Sequence, residues 1–298
     1  MPLNVVIAGA SGFLGTHLSA ELVDRGHAVV ALVRRPTSAP DESTWDPYAG
    51  VYDRDVIAAA DVVVNLAGAP TAGNPHSGRW ARELRESRVT TTRVLARAVA
   101  DCETTPAFLA GNGISWYGDR GDEVLTEASA AGTGGMLTDV SQEWQAVAAP
   151  AVEAGARVCF LRTAPVMDKT APPLKQLRLL TKLGLGTRLG DGRQRMPQIS
   201  LRDWVGAVAF LTEHDEVSGP VNLCCPQTPT NAEFTAALAR AVDRKAFLVA
   251  PAFAVRAGAG ALSSEVLGSV NARPSVLEAA GYRFRDRTVD EVIRAALG

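Results

Sequence analysis

The chain has 298 residues, 47% of them hydrophobic and 21% charged, with a formal net charge of −2. That is enough apolar material for one large domain or for a sheet domain with a smaller partner, and the near-neutral balance gives no electrostatic case for nucleic acid or an anionic membrane. With no basic leader and no apolar run of spanning length, a cytoplasmic protein lacking both signal peptide and membrane span is expected.

In chain order, Val5–Ala8 is a short apolar run followed at once by Gly9-Ala10-Ser11-Gly12-Phe13-Leu14-Gly15. A helix-like stretch from Thr16 to Arg25 then closes on Gly26-His27, and Ala28–Val33 is a second apolar run. Strand, glycine turn, helix and strand in this order predict the opening βαβ unit of a dinucleotide-binding sheet. One glycine lets the chain turn out of the strand, one lets bare backbone approach a pyrophosphate, and one lets helix and sheet pack closely. Gly9, Ser11, Gly12, Phe13, Leu14 and Gly15 are therefore cofactor-binding candidates, with helix N–H groups offered to phosphate. An NAD-selective site places a carboxylate at the end of the second strand, whereas this one ends Leu32-Val33-Arg34-Arg35-Pro36. Two guanidinium groups suit a 2′-phosphate, so Arg34 and Arg35 predict NADP as the cofactor.

The α/β alternation continues. Asp61–Gly68 is a buried strand ending in a small-residue turn, and Trp80–Ala100 is one helix with Leu84, Val89, Val94, Leu95 and Val99 on its apolar side. Ala107–Gly111 is the next strand, Asn112–Asp122 a glycine-punctuated loop, Ser141–Ala154 a helix, and Arg157–Arg162 a fifth or sixth strand. Cys102, Cys159, Cys224 and Cys225 lack metal-ligand spacing and the four histidines are scattered, so reduced thiols and no metal site are expected.

After Pro165 the character changes. Asp168–Arg195 combines lysines, arginines and glycines, and reads as a helix followed by a mobile basic loop: a solvated face, or one that meets an anionic substrate. Trp204–Leu211 is a short helix, Pro220–Cys225 a strand, and Asn231 an N-cap opening a helix through Val242. The tail Val266–Leu297 carries a short helix, Gly281-Tyr282-Arg283-Phe284 and a final amphipathic helix. These elements predict an α/β fold, a doubly wound parallel Rossmann sheet in residues 1–165. Residues 166–298 form mainly a substrate or lid region, with a strand near 220–225 returning to the sheet.

The glycine turn and the Asn65-Leu66-Ala67-Gly68 turn resemble those of the extended short-chain dehydrogenase/reductases. Within that branch the chain is similar to the atypical epimerase-like family, also described as SulA-like. The similarity is carried by Gly78-Arg79-Trp80, Ser87-Arg88-Val89-Thr90-Thr91-Thr92, the string from Trp116 to Glu123, Leu161-Arg162-Thr163, Gly192-Arg193-Gln194, Pro220-Val221-Asn222 and the tail from Pro274. It covers essentially the whole chain and implies the extended short-chain dehydrogenase fold, with Leu66, Ala67, Gly68, Arg162 and Thr163 at the cofactor.

The superfamily's chemistry rests on a Tyr-x-x-x-Lys pair in which Lys lowers the Tyr pKa for proton exchange with the substrate oxygen. No tyrosine here has a lysine four residues on; alignment places Leu137 in the Tyr slot and Ser141 in the Lys slot. Ala110-Gly111-Asn112 stands where many relatives carry Ser-x-Ser, and Ile199-Ser200-Leu201-Arg202-Asp203 where they tend to carry Ile-His-x-Asp-Asp. Asn112, Ser115, Trp116, Tyr117 and Asp119 are expected on the loop facing the nicotinamide. Asn112 and Tyr117 are the catalytic candidates, one to hydrogen-bond a carbonyl and one as acid or base; the alternative is that these residues only shape the loop. Arg193–Met196 is read either as substrate-binding or as capping the lid loop. Two functions follow: an NADP(H)-dependent oxidoreductase or epimerase acting on a small carbonyl or hydroxyl compound, or a non-catalytic NADP(H)-binding sensor.

Overall fold

Seven short strands run parallel to form the frame of the molecule, a computed structural model describing residues 1–298. The first five are β1 (Asn4–Ala8), β2 (Ala28–Val33), β3 (Glu42–Thr44), β4 (Val62–Asn65) and β5 (Ala107–Gly113). Beyond a short β6 (Val124–Leu125) comes β7 (Val158–Thr163), and the last strand of the sheet is β11 (Gly219–Leu223). The remaining strands, β8 (Val166–Met167), β9 (Thr187–Leu189), β10 (Ile199–Ser200), β12 (Leu248–Ala250) and β13 (Asn271–Ala272), make the pairs β8–β10, β9–β12 and β6–β13.

The sheet order is β3-β2-β1-β4-β5-β7-β11. The chain builds outward from β1 in one direction and from β4 in the other, so the carboxyl ends of β1 and β4 flank a crevice where ligands bind in such folds. Successive side chains point to opposite faces and both faces are covered, which is why the inner strands β1, β2 and β4 read as apolar runs, whereas the edge strand β3 is Glu-Ser-Thr. Val5, Ile7, Val62, Val64 and Leu109 join one core, while Val6, Ala8, Val63, Phe108 and Ala110 join the other.

α1 (Phe13–Asp24) covers the first face; α2 (Arg54–Ala58), α3 (Gly78–Ala100) and, beyond it, α4 (Met136–Ala146) and α5 (Ala149–Glu153) lie on the other side. The helix expected over 141–154 therefore starts five residues earlier and breaks in two, with Pro150, which lacks an N–H, opening the second piece.

In the C-terminal half follow α6 (Leu174–Lys182), α7 (Leu201–Glu213), α8 (Asn231–Ala241), α9 (Ala252–Ala259), α10 (Ser263–Leu267), α11 (Ser275–Ala279) and α12 (Val289–Leu297). The sheet layer does not end at residue 165. Trp204, Val205 and Val208 of α7 lie in the same core as Leu18 and Leu22 of α1, and β11 pairs with β7. A smaller core joins Leu174, Phe234, Leu238, Val292 and Ile293. Two expectations change here. The stretch after α6 is ordered by the β9–β12 pairing, and α8 is capped by Thr230, not Asn231, through a capping box with Glu233. No helix is long and apolar enough to cross a membrane.

Candidate functional site

The glycine turn sits at the carboxyl end of β1, and its three glycines have different duties. Gly9 has φ +85°, and a Cβ there would lie 2.7 Å from the Leu66 carbonyl carbon. A Cβ at Gly15 would lie 2.2 Å from Gly9 O, whereas one at Gly12 approaches only Gly9 O, at 3.2 Å, and is otherwise open. Gly9 and Gly15 thus hold the fold, and Gly12 keeps the cradle open. Gly12 is also the N-cap of α1, with no side chain capping the helix. The N–H groups of Phe13, Leu14 and Gly15 have no partner within the protein, so the positive end of the helix faces the crevice. This arrangement fits a pyrophosphate.

At the end of β2 the two arginines are not equivalent. Arg34 is exposed and makes no hydrogen bond or ion pair, while Arg35 Nη2 donates to Glu42 Oε1 at 2.6 Å. Thr37 Oγ1 donates to the second Glu42 oxygen at 2.6 Å, and this bond, with the Arg35 guanidinium, holds the carboxyl below its usual range. Arg34 is the guanidinium free for a phosphate.

The turn after β4 is braced by α3. Asn65 is fully buried; its Nδ2 donates to Thr92 Oγ1 at 2.8 Å and its Oδ1 accepts from Ala67 N at 3.1 Å. Ser87 Oγ accepts from Ala69 N at 2.9 Å, and Arg88 Nη1 donates to Ala69 O at 3.0 Å. Trp144 of α4 donates to Thr92 Oγ1 at 2.6 Å and lies under the Arg88 guanidinium, whose pKa burial pulls down to about 10. The Ser-Arg-Val-Thr-Thr-Thr string thus holds the Leu66-Ala67-Gly68 backbone at the crevice.

The catalytic candidates fare differently. Asn112 lies within β5, not on a loop, and is buried: its Nδ2 donates to Ser141 O at 3.2 Å and its Oδ1 accepts from Gly113 N at 2.6 Å. Tyr117 does not face the crevice. It ends a 3₁₀ turn, is 0% exposed, and its hydroxyl accepts from Arg162 Nη1 at 2.9 Å. Its single proton serves Asn222 Oδ1 at 2.8 Å or Thr126 O at 2.9 Å. Burial raises the phenol pKa, against the opposing pull of Arg162. The expectation for Arg162 changes for the same reason: it is 2% exposed, stacked 4.2 Å over Trp116, and spent on Tyr117 and Gln145. Thr163 Oγ1 donates to Leu161 O at 3.0 Å and accepts from Trp204 Nε1 at 3.2 Å. Behind this network Glu127 Oε1 accepts from Asn222 N at 3.0 Å, and burial raises its carboxyl pKa.

Leu137 and Ser141 stand one helical turn apart on α4, as the alignment expects, so no phenol or ammonium occupies those slots. What meets Leu137 instead is Glu265 of α10, whose Oε1 accepts from Leu137 N at 2.7 Å. On the other side Ala261 N donates to Pro75 O at 3.0 Å, so the segment 252–267 is tied to both the β4–α3 loop and α4. Nothing in the sequence pointed to Glu265, which acts across 128 positions. Asp203, in the segment that departs from the relatives' Ile-His-x-Asp-Asp, anchors the tail: its carboxylate accepts from Arg285 N at 2.9 Å, Asp286 N at 2.8 Å and Tyr282 Oη at 3.2 Å. Arg195 is held by Asp122 at 3.3 Å and Thr228 O at 3.2 Å, apart from the glycine turn.

Comparison with known proteins agrees with this arrangement. The model of the NAD-dependent epimerase/dehydratase family matches residues 5–224, and that of a domain of unknown function, DUF1731, matches residues 250–296. Epimerase family protein ML0860 of Mycobacterium leprae is 41% identical over 293 residues, covering 98% of this chain and 95% of its own length. Mouse epimerase family protein SDR39U1 is 31% identical, covering 95% of each chain. Among solved structures, human SDR39U1 (isoform 2) with NADPH superposes at TM-score 0.85, with 28% identity and 99% of each chain covered. A nucleoside-diphosphate sugar epimerase from Corynebacterium glutamicum superposes at TM-score 0.81 with 32% identity, and this chain spans 59% of its length.

Proposed function

The chain belongs to the NAD-dependent epimerase/dehydratase family, and from that premise we propose that it binds NADP(H) and acts as an oxidoreductase or epimerase on a small carbonyl or hydroxyl compound. The observation that carries the cofactor half is the pairing of an open, uncapped helix end at Gly12 with an unpartnered guanidinium at Arg34. In this reading Gly9, Ser11, Gly12, Phe13, Leu14 and Gly15 cradle the pyrophosphate, Arg34 grips the 2′-phosphate, and Arg35 shares itself between that phosphate and Glu42. Leu66, Ala67 and Gly68 line the crevice beside the dinucleotide, and Thr163 stands at the far strand end. NADPH in the human SDR39U1 structure supports the choice of NADP over NAD.

The nicotinamide, when bound, supplies the hydride donor or acceptor. Asn112 fixes the end of β5 against α4 through Ser141 O. Leu137 and Ser141 provide no titrating group, and the Tyr117 hydroxyl is locked between Arg162 and Asn222, so the proton comes from another group or from water. The segment 252–267 limits access to the crevice through its ties to Pro75 and Leu137.

The same absence of a relay favours a second reading, a sensor that binds NADP(H) without turnover. Screening aldehydes, ketones and sugar nucleotides for NADPH oxidation separates the two. Turnover of any compound by the wild-type chain supports the enzyme, and tight NADPH binding with none turned over supports the sensor.

A further inference from the structure

Two stretches of the C-terminal half carry basic residues and no acidic one. Residues 169–190 contain five Lys or Arg and residues 244–256 contain three, with no Asp or Glu in either. None of these eight is in an ion pair with a side-chain carboxylate, and Lys169 alone has its ammonium engaged, donating to Gly298 O at 2.7 Å. The same stretches hold seven of the thirteen exposed large apolar side chains of the whole molecule, including Leu179 (59% exposed), Leu183 (66%), Phe247 (76%) and Phe253 (73%). A chain of net charge −2 thus concentrates unpaired positive charge and bare apolar surface together.

The fold makes one surface of them. β9 pairs with β12 so that exposed Val249 lies opposite exposed Arg188, and Arg244 Nε donates to Lys182 O at 3.0 Å. α6 turns Leu174 and Thr181 inward against α8, which leaves Lys175, Leu179, Lys182 and Leu183 along its outer side at spacings of four, seven and eight residues. Asp168, Asp191 and Asp243 are the acidic groups next to these stretches, each just beyond an end of one of them. Apolar patches of this kind mark interaction surfaces, and the cations decide the partner. A second copy joined about a two-fold axis would set this unpaired positive surface against itself with no acid to answer it. An anionic lipid surface answers both properties, accepting the apolar side chains into its headgroup boundary and the lysines and arginines at its phosphates.

We propose that the face formed by α6, β9, β12 and the start of α9 docks this protein peripherally on anionic membranes. The near-neutral charge of the whole chain conceals this because the opposite charges are segregated.

The test is flotation of the full-length protein with vesicles of phosphatidylglycerol and phosphatidylcholine, compared with vesicles of phosphatidylcholine alone. Binding to the anionic vesicles only, falling at high salt, is expected. Each basic residue near such a surface contributes roughly fivefold in affinity, so Lys175→Gln/Arg178→Gln/Lys182→Gln should weaken binding on the order of a hundredfold. Leu179→Ser/Leu183→Ser should weaken it independently. Lys175, Leu179, Lys182 and Leu183 are exposed and Arg178 is half-buried, with none of the five in the fold's apolar cores, so circular dichroism and NADPH affinity should be unchanged in both variants. No binding to anionic vesicles, equal binding to neutral ones, or full binding by both variants would overturn the proposal. So would a wild-type dimer that either variant converts to monomer, since the face would then be an interface between copies.

Discussion

Tyr117→Phe distinguishes a catalytic phenol from a structural one, because it keeps the ring and removes only the hydroxyl. In the fold that hydroxyl takes a hydrogen bond from Arg162 Nη1 at 2.9 Å and satisfies Asn222 Oδ1 at 2.8 Å. Its loss leaves a guanidinium N–H and an amide oxygen buried without partners, at about 1–3 kcal/mol each, relieved in part by the remaining bond from Arg162 to Gln145. A total near 2–4 kcal/mol follows, and with the unfolding entropy of a chain this long each kcal/mol lowers Tm by about 2 °C. Thermal unfolding followed by circular dichroism should therefore show a drop of about 4–8 °C, with NADPH affinity held within about twofold. The reasoning is refuted if Tyr117→Phe keeps wild-type stability. It is equally refuted if a substrate is found and the variant, intact in fold, loses the ~10²–10⁴-fold in rate typical of a missing general acid.

Arg34→Ala should weaken NADPH about ten- to a hundredfold, the size of a lost charge-assisted contact, and leave NADH unchanged; calorimetric titration with both cofactors checks it. Arg35→Ala should cost less, because Arg35 already spends itself on Glu42. Gly12→Val should abolish NADPH binding with a nearly normal circular dichroism spectrum, whereas Gly15→Val, whose Cβ would sit 2.2 Å from Gly9 O, should lower stability as well; equal unfolding of the two would contradict the separate duties assigned to these glycines. For Glu127, burial raises the folded pKa above the usual value near 4.5, so the stability tied to its proton is present below that pH and is lost as pH rises through the folded value. Glu127→Gln removes this dependence, and its stability relative to wild type should climb with pH above about 4.5; denaturant titrations giving a constant difference would count against a buried, raised carboxyl.

The sheet and its cofactor crevice were legible because parallel strands buried on both faces appear as unbroken apolar runs, and because the glycine turn follows one such run directly. The C-terminal boundary was less legible: the strand near 220–225 was expected to return to the sheet and does so as β11, but that α7 joins the sheet's core is revealed only by its packing against α1. Tyr117 was misplaced because its stretch is polar and glycine-punctuated, as loops are. Its burial is decided by Arg162 and Asn222, which lie 45 and 105 positions away. The tie between Glu265 and Leu137 is equally long-range and left no local trace. At Thr230 and Asn231, two competent caps stand side by side; Glu233, three residues after Thr230, was the readable sign that Thr230 caps the helix.

The most direct test of the account is calorimetric titration of the wild-type protein with NADPH and with NADH under identical salt. The open Gly12 cradle and the free Arg34 guanidinium predict NADPH binding tighter by at least about tenfold, with the preference falling as salt rises. NADH binding as tightly as NADPH, or more so, would contradict it.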